Sequence, residues 1–199
     1  MKRLIKQVLV ISAIALSCNL LGQTKNIWEV DQSHSALKFS VIHLLISEVE
    51  GNFKIFQGQM RASKEDFSDA EIDFSADVAS VDTDNEMRDG HLQSDDFFNT
   101  ATYPKMTFVS KSFKKMANDQ YALTGDLTIR DITKEVTLDV KYGGNIQDPY
   151  GNTKAGFKAT GAINRFDYGL KWNALTEAGG AVASEEVALT LNLEFKLAK

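Results

Sequence analysis

The chain holds three histidines, His34, His43 and His91, and one cysteine, Cys18. A zinc or haem site takes two or more His or Cys ligands at short spacing, and no pair here offers it. His34 and His43 are nine residues apart, an odd interval that sets them on opposite faces of a regular strand. Each reads as a strand-end histidine satisfied by its neighbours. The one arrangement suited to acid–base chemistry is Arg88-Asp89-Gly90-His91, where an Asp–His pair could serve as general base. Two residues apart on a short helix, the two side chains do not face each other. No G-x-S-x-G elbow, reactive cysteine or acidic metal cluster accompanies them. The cluster therefore reads as structural: Arg88 and Asp89 pair with other strand-end charges such as Arg165 and Asp167 and pin a helix over a barrel mouth. No catalytic residue, metal or cofactor is expected. The rival reading is a hydrolase-like or isomerase-like enzyme using Asp89 and His91 on a lipid, which would show itself as turnover.

Aromatic residues are the more informative class. Phe97-Phe98 follow the charged segment directly, and Tyr103-Pro104-Lys105-Met106-Thr107-Phe108 opens the next strand, so apolar bulk gathers beside the expected mouth. In an eight-stranded barrel the core and a ligand pocket share one location, and residue types alone leave both a filled core and a cavity open.

The elements that position these residues are strands. Val187, Leu189, Leu191, Leu193, Phe195 and Leu197 alternate with Ala188, Thr190, Asn192, Glu194 and Lys196, the pattern of a strand with one dry face. The same period of two runs through Leu37–Val41, Ile72–Val78, Val136–Val140 and Phe157–Ile163. Shorter runs at Phe53–Phe56, Lys105–Val109 and Tyr121–Ile129 bring the count to about eight strands. Gly, Asn and Asp clusters separate them, notably Tyr142-Gly143-Gly144-Asn145 and Asp148-Pro149-Tyr150-Gly151-Asn152. Thr83-x-x-Glu86 has capping-box spacing and introduces one short helix that Gly90 is expected to end. An antiparallel sheet with so few helices must close into a barrel or fold into a sandwich to protect its apolar face and its edges. An outer-membrane barrel alternates equally well with its apolar face outward. Aromatic girdles are lacking here, however, and Lys54, Lys111, Lys158 and Glu194 would fall on or near lipid-facing stripes.

Residues 1–22 differ in kind from the rest. Lys2, Arg3 and Lys6 precede an apolar run from Val8 to Leu16, as in an export leader, and that run is about half of the roughly 20 residues a membrane span needs. Cleavage is expected near Cys18 or Gln23, with lipid anchoring at Cys18 the lesser alternative. A periplasmic or secreted domain of residues 23–199 follows, and with a single cysteine it forms no internal disulfide. Without the three basic residues of the leader, 19 bases face 27 acids, a net charge of −8 with His neutral. That sign repels phosphate backbones, so nucleic acid is not an expected partner.

Several segments in order resemble the YceI-like family of exported lipid-binding proteins. They are Trp28-Glu29-Val30-Asp31 with His34-Ser35, Phe39 and His43; Arg88-Asp89-x-His91-Leu92 with Asp96-Phe97-Phe98; Tyr103-Pro104 with Thr107-Phe108; Gly125-x-Leu127-Thr128-Ile129-Arg130 with Thr133-Lys134; and Arg165-x-Asp167-Tyr168-Gly169. The resemblance implies an all-β, lipocalin-like, antiparallel eight-stranded barrel with one or two short helices, whose elongated pocket holds an isoprenoid or other long-chain lipid. On that basis the expected pocket residues are Phe39, Val41, Phe74, Phe97, Phe98, Met106, Phe108, Leu127, Phe157, Leu189, Leu191 and Leu193. A head group is expected at a mouth formed by Arg88, His91 and Arg165. A homodimer and a membrane-associated redox or lipid-handling protein are the further partners consistent with this reading, and a stress-related interaction module with a filled core is its non-enzymatic rival. Asp131 stands where the family usually has Gly, and Ala183-Ser184 replace a usual Gly-Asp pair. Asp accepts positive φ less readily than Gly but better than most residues.

Overall fold

Short turns join the central strands, and their residue types explain them. The computed structural model describes residues 24–175 and 180–198; the expected leader, its cleavage sites and Cys18 lie outside them. Strands β7 (Lys105–Lys115), β8 (Gln120–Ile129), β9 (Ile132–Gln147) and β10 (Thr153–Asn164) form an antiparallel meander. Asn118-Asp119 (φ 53° and 60°) turn β7 into β8, and Arg130-Asp131 (φ 51° and 59°) turn β8 into β9. Both central residues are left-handed, as in the type I′ turns that match strand twist; Asp131 thus takes the conformation in which Gly is usual. Between β9 and β10 the Asp148 carboxylate accepts from the amides of Tyr150 and Asn152 and from the Asn152 side chain.

The remaining strands are β1 (Asn26–Val30), β2 (Ala36–His43), β3 (Ser47–Phe53), β4 (Phe56–Ala62), β5 (Glu71–Asp77), β6 (Val81–Asp82) and β11 (Glu186–Leu197). The order β1-β4-β5-β7-β8-β9-β10-β11 closes on itself because β11 pairs back with β1, giving a closed, antiparallel eight-stranded barrel. The other three strands continue from it: β2 pairs the first half of β11, β3 pairs β2, and β6 pairs β3. β1–β2, β3–β4 and β5–β6 are therefore three long strands, each broken once at the same level of the barrel. The breaks fall at the 3-10 turn Gln32–His34, at Lys54-Ile55 and at the 3-10 turn Val78–Ser80. Asp31 and Asp77 cap the two turns through their side chains.

Three local expectations need correction. The run Phe53–Phe56 is not one strand but the break between β3 and β4. Gly143-Gly144 do not turn the chain: β9 passes straight through them, and Gly143 is the extra residue of a bulge opposite Gly156 and Phe157. The helix α1 (Glu86–Gln93) is capped by Asn85, whose Oδ1 accepts from the Arg88 amide, and it runs through Gly90. Thr83, buried and two residues earlier, is occupied elsewhere.

Inward side chains divide the barrel into two levels. At the end away from α1 it is filled by rings: Phe67 meets Trp28, Tyr142 and Phe157 edge-on at 5.2, 5.5 and 5.4 Å, and Phe113 stacks on Tyr121 at 4.5 Å. Phe67 comes from the β4–β5 loop, is 2% exposed, and has a left-handed backbone (φ 57°). The Asp69 carboxylate holds this loop by accepting from the Ser63 hydroxyl and amide and from the Lys64 amide. Burial works against its charge, but those hydrogen bonds outweigh it and bring the pKa down to about 2. The outer face is polar, with Thr124 bonded to Thr137, Thr128 to Thr133, and Lys111 bridging Asp126 and Glu135.

Candidate functional site

Above the ring-filled floor the inward positions leave a cavity of about 580 Å³, within the range of small-molecule sites. Each strand shows where the floor gives way. On β11, Val187, Leu189, Leu191 and Leu193 line the cavity while Phe195 belongs to the filled level. Leu123 and Tyr121 on β8, Leu138 and Val140 on β9, and Ala159 and Phe157 on β10 divide in the same way. The lined stretch of β11, at about 3.3 Å per residue, spans roughly 20 Å of strand, or about 15 Å of depth at a usual barrel tilt.

Of the twelve expected pocket residues the structure places eleven on this cavity: Phe39, Val41, Phe74, Phe97, Phe98, Met106, Phe108, Leu127, Leu189, Leu191 and Leu193. Phe157 is the correction. It lies one inward step below Ala159 and packs on Phe67, Tyr142 and Phe195, so it is part of the floor. The wall also takes Leu37, Ile72, Val136 and Ile163, which the same period of two could have supplied. Leu170, Trp172 and Val182 come from a segment without period, where only the fold identifies them. Two glycines shape the wall: a Cβ on Gly51 would lie 2.4 Å from the Phe39 ring, and one on Gly125 would lie 2.4 Å from that of Phe108. Their absence of a side chain lets each ring lie across the neighbouring strand.

The mouth is built from α1 and from the chain around Leu170–Trp172 and Val182–Ser184. Arg88, His91 and Arg165 all border the cavity, but their polar groups are engaged. Arg88 donates from Nε and one terminal nitrogen to the hydroxyl and carbonyl of Thr83, both at 2.7 Å. Asp89 accepts from the Thr83 amide and hydroxyl at 2.9 and 2.5 Å. The expected pairing of Arg88 and Asp89 with Arg165 and Asp167 is thus replaced by a clasp on Thr83, whose amide, hydroxyl and carbonyl all lie within reach. Arg165 is 3% exposed and donates to four carbonyls: Ser184 at 2.8 Å, Leu170 and Trp172 at 2.7 Å, and Ala183 at 3.2 Å. Burial pulls its pKa down, and the charge of Glu185 acts the other way. Arg165 is therefore a strut of the rim rather than a free cation for a head group. Arg130, on the adjoining hairpin, does similar work with the carbonyls of Phe97 and Gly169. His91 sits edge-on to Phe97 and Trp172 at 5.1 and 5.3 Å, with Nε2 at 2.9 Å from Asp96. Asp89 and His91 thus face different partners, and no base–nucleophile geometry forms between them.

His34 and His43 are equally separated. His43 borders the cavity, whereas His34 lies outside it with Asp31, Glu194 and Lys154. Asp31, His34 and Glu194 are near enough to share a cation among the described residues, but the Lys154 ammonium already bridges Asp31 and Glu194. That ammonium, with Ser33 and His34, holds the Asp31 carboxyl well below the usual range. The cluster fastens the β1–β2 break to β10 and β11.

A family model described as the YceI-like domain matches residues 28–195. A UPF0312 protein of Staphylococcus aureus strain MSSA476 is 37% identical over 170 residues, 85% of this chain and 96% of the relative. One from Staphylococcus epidermidis strain ATCC 35984 is 38% identical over 168 residues, 84% and 95% of the two chains. Among solved structures, the Campylobacter jejuni YCEI protein superimposes with a TM-score of 0.68 at 34% identity, over 79% of this chain and 90% of that one. A polyisoprenoid binding domain from Saccharophagus degradans, implicated in plant cell wall breakdown, has a TM-score of 0.62 at 18% identity, over 86% and 98%, which shows a shared fold.

Proposed function

From the premise that this chain belongs to the YceI-like family, we propose that it is an exported binding protein that encloses one long apolar chain, of isoprenoid type, without altering it chemically. The observation that carries this reading is the cavity: dead-ended by rings, walled by apolar side chains, and about 15 Å deep by the strand geometry. Burial of a hydrocarbon there gains about 0.8 kcal/mol per CH₂, so a few isoprene units bind without any hydrogen bond. The gain per atom falls toward about 0.3 kcal/mol for long ligands as rotamers freeze, and discrimination among lipids of similar girth is weak. The polyisoprenoid binding domain of similar fold supports the ligand class. Residues 1–22 as a leader place this work in the periplasm or outside the cell, where the protein stores, carries or shields its cargo. A filled-core interaction module lacks the space found here, and an enzyme would need Asp89 freed from Thr83.

Trp172 on the cavity wall gives a direct test, with Trp28 buried in the floor as a constant background. Delipidated protein titrated with a long-chain isoprenoid alcohol is expected to show a saturable change in tryptophan emission, and extraction should return the alcohol unchanged. An alcohol of two isoprene units should bind much more weakly. Absence of saturation, or recovery of a chemically altered product, contradicts the carrier reading.

A further inference from the structure

The β2–β3 hairpin closes on Leu44, Leu45 and Ile46, with the Ile46 amide donating to the His43 carbonyl at 3.1 Å. Leu44 and Leu45 both have left-handed backbones, φ 53° and 63°. The comparable turns in this protein use Asn118-Asp119 and Arg130-Asp131, each with a short polar residue that tolerates this region, whereas a bulky apolar residue there is strained. Side-chain packing among the described residues does little to offset the strain, since Leu45 is 71% and Ile46 84% exposed. The tip is continuous with the cavity mouth. His43 lines the cavity and bridges to Ala183, and the Leu44 amide donates to the Val182 carbonyl. Met87 of α1, also on the mouth, is 88% exposed.

We propose that this tip docks on a lipid bilayer with zwitterionic head groups, Leu45 and Ile46 entering among the acyl chains, and thereby sets the cavity mouth against the phase that supplies its cargo. The purpose rests on the carrier reading; the docking itself does not. Two arguments select this occupant, and a third concerns only its purpose. The apolar tip and Met87 amount to a few side chains, far below the roughly 20–30 residues a side of a stable protein interface, so a second copy of the chain fits poorly. Exposed Glu48 and Glu50 flank the tip, exposed Asp84 and Glu86 beside Met87 outnumber the neighbouring exposed Arg88, and the whole chain is net negative at −5. An anionic surface is therefore repelled, and attachment depends on apolar insertion and resists salt. Finally, an apolar chain entering a mouth pressed to a bilayer avoids crossing water.

Flotation of the purified protein with phosphatidylcholine vesicles, with and without added phosphatidylglycerol, tests this. Wild type should float with phosphatidylcholine, unaffected by raised salt and weakened by phosphatidylglycerol. The double variant Leu45→Asn, Ile46→Asn should lower vesicle affinity by at least about tenfold. Asn accepts a left-handed backbone, so this variant should fold and take up the isoprenoid alcohol as wild type does. Ile146→Asn, equally exposed at the opposite end of the barrel, should change nothing. Failure of wild type to float, flotation only with phosphatidylglycerol, undiminished flotation of the double variant, or a dimer in sedimentation that the double variant dissociates would each overturn the docking. Vesicle binding without uptake of the alcohol would instead overturn the carrier reading and leave the docking standing.

Discussion

Arg165→Met lowers the stability of the protein by about 3 kcal/mol, since hydrogen bonds to a charged group contribute about 1.5–3 kcal/mol and several are lost together with partial relaxation. Methionine keeps most of the apolar length, so the change isolates the guanidinium. Its loss strips a donor from each of the Leu170, Trp172, Ala183 and Ser184 carbonyls, and an unsatisfied buried carbonyl costs about 1–3 kcal/mol before relaxation. The guanidinium also stacks on Phe166 at 4.4 Å. Arg165→Lys keeps the charge but not the fork that reaches several carbonyls at once, and it should recover only part of the loss. The measurement is the denaturant midpoint at unchanged slope. A change within about 0.5 kcal/mol, as for an ordinary surface substitution, would mean that the rim does not hang on this residue.

Leu191→Trp and Asn192→Trp have opposite outcomes although the positions are neighbours. Leu191 faces the cavity, paired with Leu37 on one side and Ala159 on the other, while Asn192 is exposed on the outer face. An indole at 191 projects into space that a ligand would occupy, so cargo is shortened or expelled. The folding cost stays at or below the roughly 1–3 kcal/mol of overpacking, because the cavity receives part of the ring. An indole at 192 stands in solvent and leaves the amount and length of cargo as in wild type. Lipid extracted from the two purified variants, with circular dichroism confirming both folds, measures the contrast. Equal content in two folded proteins would show that β11 does not line a ligand site.

The alternation of hydrophobicity made the barrel and most of its wall legible. β11 is the clearest case: the positions that read as dry from Val187 to Leu193 are those on the cavity. Period alone could not tell Ala159 from Phe157, because both point inward. What separates them is Phe67, delivered from an aperiodic loop to fill the floor beneath. Arg165 misled for a similar reason. A charge beside an apolar run reads as a head-group partner, and only the carbonyls of Leu170, Trp172, Ala183 and Ser184, brought around it by the fold, turn it into a strut. Thr83 carried a genuine polar role two residues ahead of the true cap, where capping-box spacing cannot distinguish an N-cap from a clasp. The Leu44-Leu45 turn was invisible for the opposite reason, since leucine is about the last residue type that signals a left-handed turn.

The central claim is that the cavity holds one apolar chain, and native mass spectrometry of freshly purified protein tests it most directly. The account predicts a folded species carrying a single non-covalent increment with the mass of a long-chain lipid, released by organic solvent as an intact isoprenoid or related molecule. A protein that retains only its own mass under conditions that preserve the fold, and that yields no lipid on extraction from wild type or from Asn192→Trp, would contradict it.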